Sequence, residues 1–470
     1  MSGPVPELAD RAARCAEAVM NADEVVVASH IDADGLTSAA VATETLKRCE
    51  IPHQVVFRKQ LDGEGIKQIS ELGADTVLFT DFGSGQLRDI KKYAKDAFTP
   101  VVVDHHQPVD VEIQYHLNPL LEGIDGAAEL SGAGTTYVLS RALEDTEGAN
   151  KDLAALAIVG AIGDRQLTNG TLTGANTAIV EEGVQTGVLK TQTDLSLYGK
   201  QTRELPDLLA YAGDIRIPGI TGDRNGTVQF LDGLDIEVRS DESWKRWVDL
   251  SESSKKTLAS ALIQKAMTKG ISTQKIDQLI GESYILSTEQ EGTELRDASE
   301  FSTLLNATAR YERADVGLAV CLGDRDKAYE KSQRLLRNHR RNLSEGVTWV
   351  ENTGVERENQ CQWFHAQDNI KETIVGIVAG MALGVEGVSR DRPIIAFANK
   401  TDDTVKVSAR ATSELTGKGV DLSEVMYEAA NAVEGEGGGH TIAAGATIPS
   451  GTEETFLDVV ERTLKRQREE

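Results

Sequence analysis

Apolar positions in the first 165 residues fall into two alternating kinds of run. HQVVFR (53–58) and TVLFTD (76–81) are strand-like, and EVVVASH (24–30) and PVVVDHH (100–106) are short, unbroken runs rich in β-branched residues. Unbroken runs of this kind mark strands buried on both faces of a parallel sheet. Between them, Leu36 to Cys49 and LRDIKKYAKDA (87–97) carry a helical pattern, and residues 7–20 make a short amphipathic helix ahead of the first strand. Strands alternating with helices predict a doubly wound α/β domain with a parallel sheet. Helical pattern continues from Ser131 to Leu143 and from Lys151 to Ile162, with Asp164 ending the second stretch.

The pattern changes from about Tyr198 to Glu300, which is more polar and contains WKRWVDLSESSKKTLASALIQKAM (244–267). This segment is expected to be an inserted helical subdomain. ELRDASEFSTLLNATARYERADVGLAVCLGD (294–324) has helix and strand character in turn, and DRDKAYEKSQRLLRNHRRNL (324–343) reads as a long Arg-rich helix joining two lobes. Strands return in RPIIAFAN (392–399) and TVKVSAR (404–410), and the chain then passes through the glycine cluster GEGGGHTIAAGATIP (435–449). The expected division is a catalytic domain over 1–197, the insertion over 198–300, a connecting region over 301–344 and a smaller C-terminal α/β domain over 345–470.

A chain of 470 residues exceeds one ordinary core, in line with that division. Its longest apolar stretch, Ala154 to Gly163, is too short to span a bilayer, so no membrane association is expected. The first twenty residues lack a basic region followed by an apolar one, so the expected location is the cytoplasm. Cys15, Cys49, Cys321 and Cys361 lack C-x-x-C spacing, which argues against a disulfide framework or a structural zinc site. The 75 acidic residues outnumber 49 basic ones, for a net charge of −26. That excess opposes a polyanionic partner unless salt screens it or the bases gather in a groove. A halophilic cytoplasm is the preferred reading.

Four short motifs carry the chemistry. SHIDADG (29–35) places His30, Asp32 and Asp34 at alternating positions past a strand, where an extended chain would point all three to one side. Read blandly, it is an acidic loop with Asp34 capping a helix. TDFGSG places Asp81 at a strand end, and GDRQ places Asp164 after an apolar helix; each alone is weak. VVVDHHQP runs a buried strand straight into Asp104, His105 and His106, which packing does not explain. Ligands of open parallel sheets bind at the C-terminal strand edge, where three of these motifs fall. A nitrogen–oxygen donor set without thiolates suits Mn²⁺ or Mg²⁺. Two cations need a bridging carboxylate and about six protein ligands, a number that His30, Asp32, Asp34, Asp81, His105 and Asp164 supply. The consecutive glycines near the C-terminus let backbone N–H groups approach a phosphate, or else make a tight turn. They match neither a P-loop nor a dinucleotide fingerprint.

Taken in order, SHIDADG, TDFGSG, VVVDHHQP and GDRQ resemble the four motifs of the DHH phosphoesterase family, and SARATSEL with GEGGGHTIAAGATIP resembles its C-terminal associated domain. EFSTLLNATARYERADVG is similar to the region joining the domains in archaeal RecJ-like nucleases. The resemblance covers nearly all of the chain except the insertion. It implies two Mn²⁺ (or Mg²⁺) ions on His30, Asp32, Asp34, Asp81, His105 and Asp164, with His106 close to the scissile phosphate. It implies that Asp104 orients His105, and that Arg410, Gly437, Gly438, Gly439 and His440 hold the substrate. The implied activity is exonuclease cleavage of single-stranded DNA, with 5′→3′ polarity favoured, or of RNA, in repair or replication. Two alternatives stand beside it: a phosphodiesterase for short oligonucleotides or cyclic dinucleotides, and a replisome component that binds helicase-associated proteins.

Overall fold

The computed structural model describes residues 3–95, 97–212, 215–241, 243–400 and 403–469. Contacts divide it into two units, residues 1–333 and 334–470. The first unit opens with helix α1 (Ala9–Met20) and is built on five strands: β1 (Val25–His30), β2 (His53–Arg58), β3 (Thr76–Thr80), β4 (Thr99–Val103) and β5 (Tyr115–Leu117). They pair in parallel in the order β2-β1-β3-β4-β5. The connections carry α2 (Ala33–Arg48), α3 (Gly63–Ser70) and α4 (Leu87–Ala94). Val25, Val26, Val27 and Ala28 are fully buried, as the unbroken apolar run requires. The chain reverses its direction of travel across the sheet between β1 and β3, so a crevice opens at their C-terminal ends. Register pairs Ser29 with Thr80 and Thr80 with Val103, so the residues that follow these strands emerge level with one another. The helix expected to reach Ala97 ends at Ala94; Asp96 lies outside the described residues.

Two apolar helices, α5 (Gly132–Ala142) and α6 (Ala154–Gly163), pack on α2, which is why α2 is buried along most of its length. After α7 (Ala175–Gln185) comes β6 (Leu189–Leu195). The chain then forms α8 (Leu205–Ala210), α9 (Arg224–Asp232), the short hairpin of β7 (Arg239–Ser240) and β8 (Ser243–Trp244), α10 (Glu252–Thr268) and α11 (Thr273–Asp277). This stretch has a core of its own that includes Leu205, Leu208, Leu231, Trp247, Leu258 and Leu262. The helix expected from Trp244 starts only at Glu252, because Ser251 caps it by accepting from Ser254 N–H. Trp247 instead turns inward and donates from Nε1 to Asp194. Nor is the stretch to Glu300 helical throughout: β9 (Ile280–Leu286) returns to pair antiparallel with β6.

The expected mixture of helix and strand over 294–324 is corrected. α12 (Ala298–Arg310) and α13 (Ala314–Cys321) follow a 3₁₀ turn, and the apolar GLAVC run lies in α13 against α2. A short apolar run does not by itself distinguish a buried strand from a buried helix. α14 (Lys327–Thr353) is the expected long helix, and the division between the units falls inside it.

The second unit holds a mixed sheet of β10 (Glu356–Arg357), β11 (Gln362–His365), β12 (Ile394–Asn399), β13 (Thr404–Arg410), β14 (Glu436–Gly439) and β15 (Ala443–Pro449), in the order β10-β11-β12-β13-β15-β14. α15 (Val375–Ala382), α16 (Ser413–Thr416), α17 (Leu422–Asn431) and α18 (Glu453–Glu469) accompany it. Gly437 to Gly439, read as a phosphate approach or a tight turn, are strand. A Cβ at Gly437 would stand 2.3 Å from the Met426 carbonyl oxygen, so glycine here lets α17 lie directly on the sheet. No helix among the described residues is long and apolar enough to cross a membrane.

Candidate metal centre

The six carboxylate and imidazole side chains predicted as ligands converge at the C-terminal edge of β1, β3 and β4 and at the end of α6. Their donor atoms form overlapping groups: His30, Asp32 and Asp81; Asp34, His105 and Asp164; and Asp81 with Asp104, His105 and His106. Asp81 faces both ways. Its Oδ2 lies 3.6 Å from His30 Nδ1, and its Oδ1 lies 3.2 Å from His105 Nε2. Asp32 Oδ2 is 3.1 Å from the same His30 nitrogen, and Asp34 Oδ2 is 3.7 Å from His105 Nε2.

Local structure explains each position, and it changes the reading of the first motif. β1 ends at His30, and α2 has already begun at Ala33, so the three residues do not alternate along an extended segment. Asp32, rather than Asp34, is the N-cap, accepting from Gly35 N–H. Asp34 lies in the first turn and is buried; the N–H groups of Gly132 and Ala133, at the start of α5, bond its two oxygens at 2.7 and 2.9 Å. Asp81 has a left-handed backbone (φ 59°), a costly conformation for a non-glycine residue. Gly132 sits so close that a Cβ there would be 2.5 Å from Asp81 Oδ1.

The expected role of Asp104 is also corrected. Its Oδ1 accepts from His106 Nδ1 at 2.8 Å, so it orients His106. His105 is held instead by the Gly126 carbonyl, 2.6 Å from Nδ1. Gln166 Nε2 donates to that carbonyl and to Asp164 Oδ2, both at 2.9 Å, tying the two ligand candidates together. Neither Gly126 nor Gln166 stood out in the sequence, although Gln166 lies inside the GDRQ motif. Two further residues come from α12. Asn306 Oδ1 accepts from Ala33 N–H, and Arg310 feels the charge of Asp32. Arg410, Gly437, Gly438, Gly439 and His440 belong to the second unit. There Arg410 pairs with Ala443 across β13 and β15, and Gly439 with Ala444 across β14 and β15.

The electrostatics fit divalent cations. Burial and repulsion from Asp81 and Asp164 hold the Asp34 carboxyl well above the usual range, and burial chiefly lifts Asp164 to about 6. Burial works against the charge on His30, yet bonds to Asp32 and Asp81 push it up to about 11. Asp81 runs the other way: burial would raise it, but His105 and His30 hold it well below the usual carboxylate range. His105 Nε2 is buried and finds no hydrogen-bond partner of acceptable angle, although carboxylates stand beside it. An imidazole nitrogen crowded by carboxylates without a well-angled hydrogen bond is a donor set arranged for metal. The cleft over it, about 430 Å³, is also lined by Lys59, Asp62 and His106.

Three family models match the chain in order: the DHH family, N-terminal domain over residues 24–161, the DHH-CID domain over 197–280 and the DHHA1 domain over 360–466. An uncharacterized protein of Methanocaldococcus jannaschii is 29% identical over 449 residues, covering 94% of this chain and 93% of that protein. The single-stranded-DNA-specific exonuclease RecJ of Bacillus subtilis is 24% identical over 164 residues, which is 33% of this chain and 21% of RecJ. In fold, the chain resembles Mn²⁺-bound RecJ from Thermus thermophilus, with a TM-score of 0.62 and 19% identity over 99% of this chain. It spans 56% of that longer chain. It also resembles CDC45 from Entamoeba histolytica, with a TM-score of 0.66 and 11% identity over 97% of each chain.

Proposed function

We propose, from the premise that this chain belongs to the DHH family, that it is a metal-dependent phosphodiesterase acting as an exonuclease on single-stranded nucleic acid, with DNA and 5′→3′ polarity favoured. The observation that carries the reading is the crowding around buried His105 Nε2, 3.2 Å from Asp81 and 3.7 Å from Asp34, with His30, Asp32 and Asp164 around it. One cation would take His30, Asp32 and Asp81, and a second would take Asp34, Asp81, His105 and Asp164, with Asp81 shared between them. When bound, Mn²⁺ or Mg²⁺ supplies positive charge to a phosphate oxygen and makes water more acidic.

The chain's own residues do the rest. Asp104 fixes the His106 ring through Nδ1, and the ring borders the cleft, placed to hydrogen-bond a phosphoryl oxygen as charge grows there. Asn306 and Gly35 N–H fix the turn that carries Asp32. In the second unit, Arg410 and the β14–β15 hairpin are proposed to hold the strand.

The test is digestion of end-labelled single-stranded DNA and RNA with Mn²⁺ or with EDTA, by wild type and Asp81→Ala. A ladder of products that needs both metal and Asp81 supports the reading. Cleavage by Asp81→Ala at near the wild-type rate sinks the ligand assignment. Cleavage confined to oligonucleotides of a few residues, or to cyclic dinucleotides, replaces the long strand with a short substrate. Intact long strands and intact short substrates, with metal bound, leave a binding role such as that of a replisome component.

A further inference from the structure

Away from the metal centre, the first unit contains a second cavity of about 820 Å³. It lies beneath the connection from β4 to its parallel neighbour β5. Parallel neighbours are usually joined through a helix, but residues 107–114 contain no regular element. Val109, Val111 and Ile113 pack alternately onto the apolar core, and Val109 N–H bonds the Ser84 carbonyl. The walls are Arg11 and Arg14 of α1 and Lys91 of α4.

Charge distinguishes this cavity from the cleft over the ligands. Arg11, Arg14 and Lys91 share this lining with Asp110 and Glu112, both exposed. The ligand cleft sets Lys59, His30 and His106 among Asp32, Asp62, Asp81, Asp104 and Asp164, an arrangement that suits cations. In a chain of 49 basic and 75 acidic residues, three basic side chains around one cavity make it a candidate site for an anion. Its apolar wall, which includes Pro108, Val111 and Ile113, suits a flat ring. Arg11 is paired with Glu122, whereas Arg14 Nε and Lys91 Nζ donate to the backbone carbonyls of Asp10 and Glu112 at 3.4 and 3.3 Å, so the charges of Arg14 and Lys91 are the ones offered to a ligand.

The cavity also reaches the reaction centre. His116 lines it, and its Nε2 lies 3.0 Å from Ser84 Oγ. Ser84 N–H donates to Asp104 Oδ2 at 2.9 Å, and Asp104 Oδ1 accepts from His106 Nδ1 at 2.8 Å. Asn118 Nδ2 closes the network by donating to Ser84 Oγ and to the His106 carbonyl. Every link is buried except the outer ring of His106.

We propose that this cavity is a second site, binding a nucleotide through its phosphate, and that its occupancy is relayed to His106 through His116, Ser84 and Asp104. The relay rests on the function proposed above for His106; the binding site does not. A nucleotide is the class of molecule that the proposed reaction releases, so the site would report product or the end of a strand.

The experiment separates these parts. Deoxynucleoside monophosphate, inorganic phosphate and a short 5′- or 3′-phosphorylated oligonucleotide are titrated calorimetrically into Asp81→Ala protein in EDTA, where hydrolysis is absent. The mononucleotide should bind at one site. Adding Arg14→Glu and Lys91→Glu should weaken it by about tenfold or more, since each removes a charge-assisted contact. Thermal melts, and the milder Gln pair at the same positions, guard against misfolding. No binding, or equal binding by the charge-reversed protein, overturns the site. Phosphate binding as tightly as the nucleotide overturns the base-binding wall. Tighter binding of an oligonucleotide identifies the source as a strand end, and equal binding identifies free nucleotide. The relay is read from ¹⁵N-labelled histidine by NMR. The His106 ring should shift on saturation, and not in the Arg14→Glu, Lys91→Glu protein. His116→Gln, measured at nucleotide saturation, should lose the shift. A His106 ring that stays unmoved at saturation overturns the relay even if cleavage assays bear out the nuclease. A failed cleavage assay leaves the binding result standing.

Discussion

Asp81 combines an unfavourable backbone with two differently directed oxygens, and neighbouring residues have to keep it there. Gly132 is the tightest of these, and its lack of a side chain is a packing requirement. A methyl group would meet Asp81 Oδ1 at 2.5 Å and its Cβ at 2.7 Å, with Asp34 bonded to the same backbone. Gly132→Ala should therefore displace Asp81 and cost ~1–3 kcal/mol of stability, as overpacking does. Metal-dependent cleavage should fall by about a hundredfold, because misplacement of about 1 Å carries that penalty. Denaturant melts and a single-turnover assay check both; an unaltered rate means Asp81 does not need this geometry. His440→Ala, on the exposed β14–β15 turn, should weaken substrate handling while Mn²⁺ still titrates normally. Lost metal binding in that variant would put His440 among the ligands. At this scale, His30, Asp32, Asp34, Asp81, His105 and Asp164 were readable because the motifs lie at predicted element ends. The partner of Asp104 was not readable: its choice of His106 over His105 depends on Gly126, twenty-one residues further on, reaching His105 first.

α12 joins distant parts of the first unit. Glu300 at one end accepts from Gln201 N–H and Thr202 Oγ1, at the start of the inserted region, while Asn306 near the other end holds Ala33 beside the ligands. Glu300 is almost fully buried, and burial lifts its carboxyl to about 7, helped by Asp297 and Glu294 and opposed by the bonds from Thr202 and Gln201. An acid raised in the folded state keeps a proton that the unfolded chain releases. Its contribution is complete below the unfolded value near 4.5 and is lost as pH rises through about 7. Glu300→Gln should remove this dependence. Relative to wild type, the variant should gain up to ~3 kcal/mol between pH 5 and pH 8. His116 runs oppositely: burial lowers it to about 4, so its contribution is lost as pH falls below the ordinary 6.5. The difference between variant and wild type isolates Glu300, and urea melts giving the same difference at both pH values would refute the assignment. The strands were legible because β-branched runs leave few alternatives. The start of α10 and the helical identity of α13 were not, because they depend on the Ser251 cap and on packing against α2.

For the whole molecule, the dominant fact is 26 uncompensated negative charges on a chain proposed to bind a polyanion. One way to reconcile the two was a basic groove. Within the first unit the cleft over the ligands is no such groove without its metals, since Lys59, His30 and His106 stand there among five carboxylates. Screening is the other route. The Debye length is roughly 30 Å at 0.01 M salt, comparable with a domain, so the acidic surface repels itself and the substrate together. At molar salt it falls to roughly 3 Å, and only pairs in contact still interact. Close ion pairs such as Arg48–Asp152 at 2.8 Å persist, while long-range repulsion disappears. An ordinary nucleic-acid enzyme behaves oppositely, because its phosphate contacts release counterions and added salt weakens binding. Melting temperature and single-strand cleavage should therefore both rise from dilute buffer to molar KCl, at fixed Mn²⁺. If both are highest in dilute buffer, the halophilic reading fails. The ligand cluster would be untouched by that result, since its donors are fixed by short contacts that salt does not screen.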